Sequence, residues 1–331
     1  MTGVAADVLA AVPLFADLSA ADRAALADAM EARRFAGGAA LMVQNDPADG
    51  LHIILSGAVR IGRRLPGGGF ADTARLCAGD ILGEMALVGR DGRRTANALA
   101  EGPVETLFLP ATRFRAALSA LRPASLSMQR ALGAELARRV LAKTRDIAAQ
   151  LAAEPLAFTP RTAPRQPAPQ PEAGFDPVAF VAKLPFADAL DASQRGTLLA
   201  AGRTLTAARG VCIDATTRVW LVVRGALRSD LPLPGGTYQL EILGPGRIAG
   251  AAALLADRSG ESGLTATEAS LLIGWDAAQL RAMFGQYDGL AMALGAAVNA
   301  DLVATLDALD SVEARIAAMQ RAGTAAALAA N

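Results

Sequence analysis

Two charged residues ten positions apart carry most of the chemistry legible in this chain. Glu84 sits in Gly83-Glu84-Met85-Ala86-Leu87, and Arg94 opens Arg94-Thr95-Ala96 after six further residues. Gly83 permits close approach of backbone to a ligand. Glu84 to Leu87 can begin a short helix, whose first amides are free to face an anion. Arg94 supplies a planar fork that matches phosphate in a bidentate manner, and Thr95 adds a hydroxyl donor. A carboxylate does not favour phosphate, so Glu84 is expected to accept from a sugar hydroxyl. One carboxylate, one guanidinium and a run of amides suit a small ribose phosphate.

Other chemistries have less support. The chain holds one histidine, His52, inside the apolar run Leu51-His52-Ile53-Ile54-Leu55. It is expected to be a packed strand residue rather than a catalytic base. Cys77 and Cys212 are far apart in sequence, with no second Cys or His beside either, so neither a zinc site nor a disulfide framework is expected. No nucleophile–base pair appears, and an enzyme is not expected. Lys+Arg and Asp+Glu are both 32, a zero net charge that argues against a general nucleic-acid binder. The N-terminus lacks a basic leader, and no uninterrupted apolar run reaches the ~18 residues of a membrane helix. A soluble cytoplasmic protein with no membrane partner is the expectation. Thirty arginines against two lysines, Lys143 and Lys183, together with abundant alanine, suggest a GC-rich bacterial coding sequence.

The elements that must position Glu84 and Arg94 come in duplicate. Length allows about two domains, at roughly 100–200 residues each. Gly79-Asp80-Ile81-Leu82-Gly83-Glu84-Met85-Ala86-Leu87 can be laid on Gly246-Arg247-Ile248-Ala249-Gly250-Ala251-Ala252-Ala253-Leu254, and the match runs without a gap to Glu101 on Glu268. Gly57 falls on Gly225, Phe15-Ala16-Asp17 on Phe186-Ala187-Asp188, and Ala134-Glu135-Leu136 on Ala300-Asp301-Leu302. The chain is therefore read as two copies of one unit. Each copy has an opening helix (18–30 and 190–199), a glycine-punctuated β region with plain strands at 51–61 and 219–227, and a long closing helix. Between them, residues 154–175 hold six of the 17 prolines and read as a stiff, extended spacer. The divisions are 1–153, a linker at 154–175, and 176–331.

The long helices carry apolar seams. Leu132, Leu136, Val140, Ile147 and Leu151 share one face, with Thr144 as a polar gap; Leu302, Leu309, Val312, Ile316 and Met319 do the same in the second copy. Seams of this spacing suit self-association, and a homodimer through the long helices is the expectation.

Residues 83–96 resemble the phosphate-binding cassette of the cyclic-nucleotide-binding domain family, the family of the bacterial catabolite activator and of cyclic-AMP-dependent kinase regulatory subunits. Gly38, Asp46 and Gly57 look like its turn glycines and loop aspartate. The resemblance covers about 12–152 and, more weakly, 180–320. It implies an α+β fold, mainly β: two β-roll (jelly-roll) domains, each with a short cassette helix and a long C-terminal helix. It implies that Glu84 accepts from the ribose 2′-hydroxyl, that Arg94 pairs with the cyclic phosphate with Thr95 nearby, and that the amides of Gly83, Met85 and Ala86 complete the cradle. In the family a residue on the long helix caps the base. Thr144 is the first candidate and Lys143 the second, while Arg93 reads as a solvated neighbour. Cyclic AMP is favoured, with cyclic GMP open.

The second copy departs from the pattern. Ala251 stands where Glu84 does, and Glu261 where Arg94 does. Losing two charge-assisted hydrogen bonds should weaken binding by roughly a hundredfold to ten-thousandfold, and Ser262 and Arg258 are weak substitutes. Only 12 residues follow Met319, too few for the winged-helix domain that DNA-binding relatives carry. The expected function is a cyclic-nucleotide-responsive regulator acting on a protein partner. The competing reading is a scaffold with ligand-free barrels.

Overall fold

The computed structural model describes residues 2–64, 70–153, 170–171, 176–233, 236–256 and 263–329. The first copy opens with α1 (Thr2–Ala11), a 3-10 turn at Pro13–Phe15 and α2 (Ala20–Ala27). Ser19 caps α2 by accepting from the Asp22 amide, which satisfies a donor the helix leaves open. Then come β1 (Glu31–Phe35), β2 (Ala40–Met42), β3 (Gly50–Ser56), β4 (Ala58–Arg64), β5 (Phe70–Cys77), β6 (Ile81–Leu82), α3 (Glu84–Val88), β7 (Asn97–Ala100) and β8 (Val104–Pro110). α4 (Ala111–Ser119) and the 31-residue α5 (Pro123–Ala153) follow.

The second copy repeats this order. After β9 (Gln170–Pro171) it has α6 (Pro177–Val181), a 3-10 turn at Pro185–Ala189, α7 (Ala192–Ala200), β10 (Arg203–Ala207), β11 (Cys212–Ile213), β12 (Arg218–Arg224), β13 (Leu227–Leu233) and β14 (Gly236–Leu243). β15 (Ile248–Ala249), α8 (Ala251–Ala256), β16 (Gly263–Ala266), β17 (Ser270–Asp276), α9 (Ala277–Gly285) and the 41-residue α10 (Gly289–Ala329) complete it.

The duplication is visible in the sheets. The first roll pairs the order β1-β8-β3-β6 with β2-β7-β4-β5; the second pairs β10-β17-β12-β15 with β11-β16-β13-β14, every ladder antiparallel. β9 adds two residues of the proline-rich segment to the edge at β10; the rest of the expected linker, 154–169 and 172–175, lies outside the described residues. Even the irregularities match. The register slips between Ile54 and Ser56 in one roll and between Val222 and Arg224 in the other. It slips again at Ile61/Gly62 and at Ser229/Asp230. An extra residue at the same place in both rolls bends the strand in the same way.

The strands expected at 51–61 and 219–227 are each two strands. Gly57 (φ 87°) and Gly225 (φ 81°) break them in the left-handed region, which a strand cannot include. Apolar positions then close two cores. Met42, Ile54, Val59, Leu82, Ala98 and Val104 fill the first, and Val222, Leu227, Leu243, Leu264 and Leu272 the second, with Trp220 buried among them.

The compact units are Met1–Leu132 with Asp310–Asn331, and Gly133–Leu309. Each long helix therefore belongs partly to each unit, a division the linear order of the chain does not suggest. The seams expected for self-association are largely consumed inside the chain. Leu132, Leu136, Val140, Ile147, Leu151, Leu302, Leu309, Val312 and Ile316 are all buried, and Met319 is exposed. Two such helices within one polypeptide need no second copy to cover their apolar faces, so the argument for a homodimer through them falls. Gly133 marks how tightly the second unit packs here: a methyl group on it would meet Asn299 Oδ1 at 2.6 Å.

By length and mean hydropathy (1.5), Gly289–Arg321 of α10 is long and apolar enough to cross a membrane, although polar residues interrupt its apolar run. Alanine raises the average although residues such as Asp301 break the run. In the fold 67% of its most apolar stretch is buried inside the protein, as in a core helix.

Candidate functional site

The site is assembled where β6 turns into α3. Gly83 has φ 94° and forms the N-cap of α3. A side chain there would collide with Arg94 and with Met42, so both conformation and space demand glycine. The turn places Glu84, Met85 and Ala86 in the first turn of α3, where amides lack helical partners. Glu84 and Ala86 are buried, at 4% and 3% exposure, and Met85 is half-buried.

Arg94 enters from the irregular segment that precedes β7. Its backbone is pinned to the 45–46 turn: the Arg94 amide donates to Asp46 O (2.9 Å) and the Asn45 amide donates to Arg94 O (2.9 Å). Its side chain is only 3% exposed. A guanidinium so deeply placed requires acceptors. Nη1 donates to Gly83 O at 3.0 Å, and Nη2 donates to Gly50 O at 2.7 Å and to Asp49 Oδ1 at 2.5 Å. Asp49 is 63% exposed, so this ion pair has one wet end. The arrangement thus joins β3, β6, α3 and the 45–50 loop through one cation.

The remaining candidates divide. Thr95 is half-buried beside Arg94. Arg93 is exposed, as expected of a solvated neighbour, and it also donates to Asn45 O at 2.7 Å and forms a backbone bridge with Pro47. Thr144 lies in the second compact unit. It is buried, its hydroxyl donates to Val140 O at 2.9 Å, and it lines a cavity of about 80 Å³ with Ser229, Leu240 and Ala251. Lys143, the second candidate, is half-buried one position earlier. Asp49 and Gly50 were missed in the sequence. A buried arginine needs a carboxylate partner, and the acidic 46–49 loop was the available signal.

His52 is the packed strand residue expected. It is 1% exposed on β3, its Nδ1 lies 2.9 Å from the Thr106 hydroxyl, and its ring meets Phe35 and Phe108. Burial pushes its pKa down to about 4, and Arg33 and Arg94 add to that, with Asp49 opposing.

In the second copy, Gly250 keeps the left-handed turn (φ 87°) and the buried Ala251 begins α8, so the backbone survives without the carboxylate. Glu261, Ser262 and Arg258 lie outside the described residues. Near this turn, Arg247 donates to Asp301 Oδ1 (2.6 Å), Glu241 Oε2 (3.0 Å) and Thr305 Oγ1 (3.1 Å). Burial works against the Arg247 charge, but Asp301 and Glu241 more than offset it and raise its pKa. Burial raises the Glu241 pKa, Arg247 holding it back and Asp301 reinforcing the rise.

Comparison with known proteins places these features. Residues 32–120 match the model of the cyclic nucleotide-binding domain. A cAMP-dependent protein kinase regulatory subunit of Mycosarcoma maydis is 35% identical over 94 residues, 28% of this chain and 18% of that protein. A cGMP-dependent protein kinase of Caenorhabditis briggsae is 35% identical over 108 residues, 32% of this chain and 14% of that protein. The chain thus spans less than a fifth of the length of these relatives. Among solved structures, the N-terminal domain of a Streptomyces coelicolor A3(2) transcriptional regulator is 34% identical, over 42% of this chain and 96% of that one, with a TM-score of 0.34. The cAMP-bound regulatory domain of Toxoplasma gondii PKA is 16% identical over 86% of this chain and 93% of that one, TM-score 0.34.

Proposed function

Because residues 32–120 match the cyclic nucleotide-binding domain model, we propose that the chain is a non-enzymatic sensor whose first roll takes cyclic AMP, with cyclic GMP the second candidate. The observation that carries this reading is Arg94: buried, directed at the Gly83 carbonyl and placed beside the first turn of α3. The cyclic phosphate takes the place of Asp49 on the guanidinium, an exchange made easier because Asp49 is already largely in water. Glu84 accepts from the ribose 2′-hydroxyl, Thr95 donates near the phosphate, and the Gly83, Met85 and Ala86 amides face its oxygens.

Binding draws α3 and the 45–50 loop together around one anion. The output is a change in the long helices, read by a protein partner rather than by nucleic acid. For such a response, the ligand must prefer one helix arrangement over the other. The second roll, with Ala251 at the carboxylate position, binds no cyclic nucleotide. Two exposed free cysteines, Cys77 and Cys212, suit the reducing cytoplasm.

Calorimetric titration of the full chain with each nucleotide tests the reading. One site per chain is expected, and Arg94→Glu should weaken it at least about a hundredfold. A wild-type chain that takes up neither nucleotide would sink the proposal.

A further inference from the structure

The alignment that lays Gly57 on Gly225 lays Ile61 on Ser229. The register slips just after each of them, and their register partners are Ala74 and Glu241. In the first roll this cross-strand pair is apolar, and Ile61 packs on the core. In the second roll the pair is a hydroxyl beside a carboxylate, and directly opposed residues share one face of a sheet.

Ser229 and Glu241 both line the cavity of about 80 Å³, whose lining lies wholly within Gly133–Leu309. Ser229 is 7% exposed, and among the described residues its hydroxyl meets no hydrogen-bond partner. A buried hydroxyl without a partner is costly, so its position on a cavity wall calls for an occupant. The charged residues of the lining are Glu241 and Asp301, both carboxylates, with side chains 8% and 1% exposed. They share Arg247, which is not itself part of the lining. Burial raises the Glu241 pKa, Asp301 adds to the rise and Arg247 opposes it only in part, so the wall would gain from a further positive charge. Thr144 spends its proton on Val140 O, which leaves its oxygen able to accept. Leu243, Leu264 and Ala251 make the remainder apolar.

We infer that this cavity of the second roll binds a small organic cation, a primary alkylammonium, with its charged end at Ser229 and Glu241 and its hydrocarbon against Leu243 and Leu264. An ammonium has three donors and no acceptor, the complement of a wall rich in acceptors. Size agrees. An apolar cavity of about 150 Å³ takes up benzene, so one of about 80 Å³ suits a short chain and excludes a purine nucleotide. The sign of the ligand is thus reversed between the copies, in keeping with Glu261 standing where the first copy has Arg94. The inference does not depend on nucleotide binding by the first roll.

The test titrates the full chain with three four-carbon probes, butylammonium, butan-1-ol and butyrate, by ligand-observed NMR. Wild type should bind butylammonium at least about tenfold more tightly than butan-1-ol, the size of one charge-assisted hydrogen bond, and should not take up butyrate. Ser229→Ala removes only a hydroxyl and should weaken butylammonium by about threefold or more. Ser229→Ile installs the first copy's side chain in the space and should abolish uptake. Glu241→Gln keeps the shape and should cut the preference over the alcohol to under about threefold. Fluorescence of Trp220 and Trp275 checks that the second copy of each variant is folded. The inference is overturned if wild type takes up none of the probes or does not prefer the ammonium. It is overturned equally if affinity is unchanged in Ser229→Ala, or if the preference survives Glu241→Gln in a folded chain.

Discussion

The two rolls share strand order, bulge positions and left-handed glycines, yet each spends its buried charge differently. In the first, one arginine is held by two carbonyls and a half-wet carboxylate at the turn where a ligand anion would lie. In the second, Arg247 is sealed against Asp301, Glu241 and Thr305, tying β14 and the turn before β15 to α10. The matched first-copy positions are not equivalent. Asp80 stands for Arg247 and accepts from the Cys77 amide (2.8 Å), while Glu135 stands for Asp301 and pairs with Arg138 and Arg139 on its own helix. In the proposed function the first roll keeps its cation exchangeable for an anion, while the second holds its helix with side chains.

The sharpest challenge to that contrast is Arg247→Ala. It strands two buried carboxylates, at a cost of about 3–5 kcal/mol in chemical denaturation. Asp80→Ala at the matched position removes one exposed turn bond and should cost under about 1 kcal/mol. Equal costs would mean that the two copies are held in the same way. Both tryptophans, Trp220 and Trp275, lie in the second copy, so their fluorescence reports its unfolding selectively.

Acidification should separate the copies next. His52 resists protonation in the fold but not in the unfolded chain. First-copy stability is therefore complete above pH 6.5 and falls as pH drops toward about 4, by about 3 kcal/mol at about 1.4 kcal/mol per unit. Glu241 runs the other way. Its raised pKa makes the folded second copy the better proton acceptor, a stabilisation present below its ordinary 4.5 and lost as pH rises through the raised value. Position 220, the mate of His52, is tryptophan and does not titrate. Denaturation followed by tryptophan fluorescence and by far-UV circular dichroism at pH 7 and pH 5 should diverge. The second copy should hold its stability while the first loses some. Parallel losses would refute the assignment.

A further contrast comes from the shared turn. Gly83→Ala and Gly250→Ala each force a left-handed alanine, costing about 1–2 kcal/mol of stability. Only Gly83→Ala also presses on Arg94, so only it should reduce nucleotide affinity in titration.

Much of this was legible in the sequence because it is local. The cassette spans 14 residues, and its glycine and carboxylate are fixed by one turn, its arginine by the irregular segment before β7. The repeat was legible because it is written twice, and the short helix at Glu84 begins where the left-handed glycine requires. The seams at 132–151 and 302–316 were recognised as buried faces, but not as faces covered within the same chain. Periodicity gives a helix its apolar side without naming what lies against it. Asp49 escaped notice because its partner is 45 residues away, and Thr144 was assigned to the wrong roll because the sequence places it beside the first.

The sequence by itself therefore determined a duplicated β-roll in which one copy carries the Gly83–Glu84–Arg94 pattern and the other does not, since spacing along the chain fixes turns and short contacts. Only the tertiary structure decided which acceptors hold Arg94, which charges seal the second copy and which long helix meets which roll. Several of those choices join residues 44 to nearly 250 positions apart, where burial of charge and close packing select the partner and no local pattern does.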